Sequence, residues 1–219
     1  MPSDALASWN SALKNGLGEL ESRSQKRSLE ELPGVNLCSN DYLGLAEHPA
    51  LREAVVAAVE HCTRVGGTGS RLLSGQTDDW KSLEEEFAKF AGTEAALYFS
   101  SGYAANLGLL TALMGKEDVV FSDELNHASL IDGVRLSGAK KVIYPHLDLN
   151  ALETALHQNL GGRWRKLIVT ESVFSMNGDV APLRELNELA EKYGAVLIVD
   201  EAHATAVHGP QGAGIAAAA

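Results

Sequence analysis

The stretch Val196-Leu197-Ile198-Val199-Asp200-Glu201-Ala202-His203 decides how the chain is read. A short, fully apolar run of this kind reads as a buried strand of a parallel sheet. A carboxylate closes the run and a histidine follows three residues later. In open α/β sheets, ligands sit just beyond the carboxyl ends of the strands, so Asp200 and His203 are candidate site residues by position as well as by type.

The pattern upstream agrees with this reading. Residues 4–21 place Leu6, Trp9, Leu13, Leu17 and Leu20 at spacings of three and four, the mark of an amphipathic helix. Residues 22–34 are polar and end in Pro33-Gly34, which reads as a linker. Helices are predicted over 50–64, 79–91, 102–114, 127–137, 148–159 and 183–193. Strands are predicted over 95–99, 118–122, 141–144, 166–170 and 195–199. Repeated strand–helix alternation implies an α/β fold, a mostly parallel sheet flanked by helices. The expected division is an N-terminal helix and linker, 1–46, followed by a partial large α/β domain, 47–219.

The 219 residues are 45% hydrophobic with a net charge of −11, which argues against a nucleic-acid or anionic-membrane surface. Cys38 and Cys62 form no CxxC pair and suggest thiols in a reducing cytoplasm. The start carries no signal-peptide pattern, and no run approaches a membrane span. No metal-ligand spacing stands out.

Two chemistries end a strand in Asp-Glu-Ala-His. A DEAH-type NTPase also needs a phosphate loop with lysine and Ser or Thr. The only Gly-Lys pair, Gly115-Lys116, is followed by Glu117, and Gly66-Gly67-Thr68-Gly69-Ser70 holds no lysine. A pyridoxal phosphate (PLP) cradle fares better. An aspartate against the pyridine nitrogen keeps a proton on it and makes the ring a better electron sink. Three other predicted strand ends offer matching groups. Unpaired amides at Gly102 and Tyr103 suit a phosphate. His127 can stack on a flat ring, and Ser175 can donate to a ring oxygen.

The chain resembles the α-oxoamine synthases, PLP enzymes of fold type I (aspartate aminotransferase-like) that condense an amino acid with an acyl-CoA and lose CO2. The resemblance rests on 37–45, Gly66–Gly75, Ser100–Asn106, His127–Gly133, Thr170–Asp179 and Asp200–Gly209. It implies PLP as cofactor, with Gly102 and Tyr103 at its phosphate and His127 against its ring and the substrate. Ser175 and His203 would meet the ring oxygen, and Asp200 the ring nitrogen. His127, Asp200 and His203 are the implied catalytic set, and Arg27 the implied acyl-substrate arginine, with Arg23 a competitor. Ser-Arg-Leu-Leu-Ser-Gly and Phe-Ser-Ser-Gly-Tyr-Ala-Ala-Asn are most like the biotin-pathway member, which joins L-alanine to a pimeloyl thioester. Glycine- and serine-using relatives share much of the pattern. A cytoplasmic homodimer is implied for the intact protein.

One departure stands out. The family's Schiff-base lysine follows a later strand, and none of the nine lysines here occupies a matching position. The chain reads as truncated before the C-terminal domain and is expected to be inactive alone.

Overall fold

A computed structural model describes residues 4–29, 33–162 and 164–219. The chain divides after Ser39 into two compact units. The first contains α1 (Asp4–Ser22), whose predicted stripe of Leu6, Trp9, Leu13, Leu17 and Leu20 is present and exposed. The predicted linker follows it, with residues 30–32 outside the described part.

The second unit begins with α2 (Pro49–His61) and α3 (Asp78–Ala91). Proline at the first helical position opens α2, where its missing N–H costs nothing. Gly92, at φ 69°, ends α3 in the left-handed conformation that glycine adopts without strain. The α/β core follows as α4 (Gly102–Leu113), β1 (Val119–Asp123), α5 (Ala128–Ser137), β2 (Lys140–Tyr144), α6 (Leu149–Gln158), β3 (Lys166–Glu171), α7 (Leu183–Tyr193) and β4 (Ala195–Asp200). Two predicted helices begin one residue late because their expected first residues are caps. His127 accepts from Ser129 N–H, and Asp148 accepts from Ala151 N–H.

The four strands among the described residues are parallel, in the order β2-β1-β3-β4. Alternate residues serve opposite faces. Val119, Phe121 and Ile168 join Leu152 and Leu156 of α6 and Leu186 and Ala190 of α7. Val120, Leu167 and Val169 join Leu110 of α4 with Leu130 and Val134 of α5. Helices therefore cover both faces, and every strand delivers its carboxyl end to the same side.

Two expectations are corrected. Residues 95–99 form no strand. Tyr98 donates its N–H to Glu84 and accepts from Arg71 through its carbonyl, so its backbone is satisfied by side chains in place of a ladder. The 196–199 run is a strand but is not buried on both sides. It lies at one edge of the sheet, and Val196 is 61% exposed.

Helices α4 and α5 meet closely at Gly133. A Cβ there would lie 2.7 Å from Leu110 Cδ1 and 3.1 Å from the Asn106 carbonyl oxygen. Alanine favours a helix over glycine by about 1 kcal/mol. Overpacking costs about 1–3 kcal/mol. Gly133→Ala is therefore expected to destabilise the protein, as a lower urea midpoint, and a higher midpoint would show that the helices part freely.

Candidate active site

The carboxyl ends of β1, β3 and β4 each present a carboxylate, and each accepts one or two backbone amides from loops at that end of the sheet. Asp123 accepts from Leu125 and Leu147, both at 2.9 Å. Asp200 Oδ1 accepts from Ala202 at 2.9 Å. Glu171, only 2% exposed, takes the His127 amide at 2.5 Å and the Ser175 amide at 3.2 Å. One buried side chain thus fixes the loops that carry two predicted site residues. Burial pushes the Glu171 carboxyl up from its ordinary value, and the Asp200 charge adds to this against the two amides.

A second chain of hydrogen bonds joins Asp200 to His127. Asn106 of α4 donates to Asp200 Oδ2 at 2.7 Å and to Ser129 Oγ at 2.9 Å. Ser129 Oγ lies 2.7 Å from His127 Nδ1, and the Ser129 amide donates to the same nitrogen at 3.2 Å. A backbone N–H can only donate, so Nδ1 is an acceptor. The neutral ring then carries its proton on Nε2.

His203 is placed by Tyr42, whose hydroxyl lies 2.5 Å from Nδ1. Ser175 and His203 line one cleft of about 280 Å3 together with Tyr42, Phe174, Gly178 and His208. Gly102 and Tyr103 form the first turn of α4, where no helical carbonyl reaches the amides. Ser101 caps this turn by accepting from Ala104 N–H. The Tyr103 ring stands edge-on to His127 at 6.5 Å, and its hydroxyl donates to Asp132. That bond, foremost, raises the Tyr103 pKa.

Gly102, Tyr103, His127, Ser175, Asp200 and His203 are thus brought together by helix starts and strand ends. Arg27 lies in the first unit, past the end of α1, and is exposed. A larger cleft, of about 840 Å3 between the end of α2 and the start of α3, holds none of the predicted residues. Among the described residues no His, Cys, Asp or Glu cluster could hold a metal ion. No described helix is long and apolar enough to cross a membrane.

Sequence reasoning assigned no role to Glu171, Asn106, Ser129 or Tyr42. Glu171 ends an apolar strand just as Asp200 does, so the same rule would have found it. Asn106 and Tyr42 act across 94 and 161 residues of chain, and no local signal marks them.

The donor set fits a flat, phosphorylated pyridine. Asp200 has lone pairs beyond those given to Asn106 and Ala202, enough to receive a ring N–H. A Cβ built on Gly102 would meet nothing within 4 Å, so there is room before the free amides. Glu171→Gln retains one acceptor oxygen and turns an NH2 toward one of the two amides. Faster hydrogen exchange at His127 or Ser175 is the expected result, with stability lowered by about 1–3 kcal/mol. Unchanged exchange at both amides would remove Glu171 from the site.

A profile described as aminotransferase class I and II matches residues 33–218. The 8-amino-7-oxononanoate synthase of Citrifermentans bemidjiense is 57% identical over 178 residues, covering 81% of this chain and 45% of the relative. A putative 8-amino-7-oxononanoate synthase of Bacillus cereus is 47% identical over 223 residues, covering 94% and 55%. Serine palmitoyltransferase from S. paucimobilis, solved with PLP and myriocin, superposes with a TM-score of 0.83 at 32% identity, over 99% of this chain and 57% of that one. The crystal structure of 8-amino-7-oxononanoate synthase from Francisella tularensis gives 0.66 at 35%, over 80% and 47%. The chain spans about half the length of the curated relatives it matches. Similar in sequence and in fold to α-oxoamine synthases, the chain belongs to the aminotransferase class I and II family.

Proposed function

We propose that this chain is the PLP-binding portion of an 8-amino-7-oxononanoate synthase, which condenses L-alanine with a pimeloyl thioester in biotin biosynthesis. The observation that carries the reading is Asp200. It is held by Asn106 at the end of β4, among the groups that a pyridine ring, its oxygen and its phosphate require. When bound, PLP would supply an electron sink for loss of a proton, and later of CO2, at the amino-acid Cα.

The chain's own residues prepare that chemistry. Asp200 would hold a proton on the ring nitrogen, and Asn106 orients its carboxylate. His127, fixed at Nδ1 by Ser129, would lay its ring on the cofactor and keep an Nε2–H to donate to substrate. Ser175 and His203 would meet the ring oxygen, with Tyr42 setting the His203 ring. The Gly102 and Tyr103 amides would take the phosphate, and Arg27 the acyl substrate. The lysine that anchors the cofactor is proposed to lie outside residues 1–219, in an intact protein that is a cytoplasmic homodimer. This chain alone would then be inactive. The fit to serine palmitoyltransferase keeps a second reading, a glycine- or serine-using α-oxoamine synthase with the same cofactor residues.

In the intact protein, L-alanine and pimeloyl-CoA are expected to release CoA faster than glycine or L-serine does with the same thioester. Preference for glycine or serine would overturn the alanine assignment. Asp200→Asn is expected to lower kcat at least about a hundredfold with the fold retained, as for loss of a charge-stabilising contact. Residues 1–219 mixed with PLP and borohydride should yield no pyridoxyl-lysine. One specific adduct would place the anchor inside this chain.

A further inference from the structure

We propose that His146 is a positioning residue, a protonated clamp that holds the turn carrying Ser175 and lets it loosen as pH rises. The turn from Ser172 to Ala181 folds back on itself. Phe174 N–H donates to Asp179 and Gly178 N–H to Phe174, while Val173 and Val180 form an antiparallel bridge. Phe174 and Ala181 of this turn pack into the core, and His146, in the loop after β2, adds two contacts of its own. The imidazole lies edge-on to Phe174 at 4.4 Å, and Nε2 is 3.2 Å from Asp179 Oδ2.

The other nitrogen, Nδ1, is 2.9 Å from Asp123 Oδ1. An ionised carboxylate only accepts, so hydrogen bonds at both nitrogens require both to carry protons. The remaining charged neighbour is also acidic: Glu124 accepts the His146 backbone amide, while Tyr144, beside Asp123 in register, is a buried neutral phenol. Burial opposes the charge, yet Asp123 and then Asp179 outweigh it, and His146 titrates above its ordinary value. A raised histidine stabilises most below the free value of 6.5 and loses that contribution as pH climbs through the raised one.

The consequence for Ser175 rests on the PLP reading; the clamp does not. The test therefore uses the protein without cofactor. Imidazole resonances should show His146 titrating above 6.5. Amide exchange at Phe174 and Gly178, corrected for intrinsic rates, should accelerate about tenfold across that transition for each unit of separation between clamped and free histidine. His146→Gln should abolish the pH dependence, and Asp179→Asn, at a partly exposed position where folding should survive, should reduce it while Asp123 still holds the ring. Protection that stays flat with pH in the wild type, or pH dependence that persists in His146→Gln, would overturn the clamp. A separate PLP titration of the intact protein by absorbance judges the cofactor reading: an intact protein that clamps but does not bind PLP would sink that reading alone.

Discussion

The register between β3 and β4 sets Glu171 directly beside Asp200, and the site is built around the need to keep both carboxylates there. Two like charges at the end of a sheet repel and resist burial. Each is stabilised differently. Glu171 is enclosed and takes two backbone amides, so its role is mechanical: it ties the loops after β1 and β3 together. Asp200 takes one amide and the Asn106 side chain, which leaves its outer lone pairs for a ligand. Adjacent carboxylates thus differ in the donors that reach them, one enclosed by two amides and the other keeping acceptor capacity to spare.

The opposite end of the sheet shows the contrast. Asp118, before β1, is paired with Arg165, and that hydrogen bond above all holds its carboxyl down to about 2. An arginine there fixes the charge permanently and closes the site to anything else. Amides and an asparagine at the carboxyl ends hold the carboxylates without neutralising them.

Much of this was legible in the sequence because it is local. Strand–helix alternation is a period that one can count, and carboxylates or hydroxyls just past apolar runs mark strand ends. His127, Ser175, Asp200 and His203 stand out as candidates in that way. What escaped depends on distance along the chain. Asn106 sits on the inner face of a helix, and only the crossing of α4 with α5 at Gly133 brings it to Ser129 and Asp200. The predicted strand at 95–99 failed for a related reason. Its apolar residues satisfy a strand pattern, but a strand exists only where a neighbour supplies the ladder, and Arg71 and Glu84 claimed its backbone first. Val196 repeats the point, since an apolar run specifies a strand but not what covers it.

The two margins of the sheet are chemically unequal. β2 presents Lys140 and Lys141, charges that discourage another strand from pairing alongside. β4 presents Ala-Val-Leu-Ile-Val with no proline and no charge until Asp200. Such a margin is a template for β-augmentation, and it favours self-association at high protein concentration. Asp200 therefore has a second value. The carboxylate that suits a pyridine nitrogen is also the one charge within β4, and neutralising it would lengthen the uncharged margin.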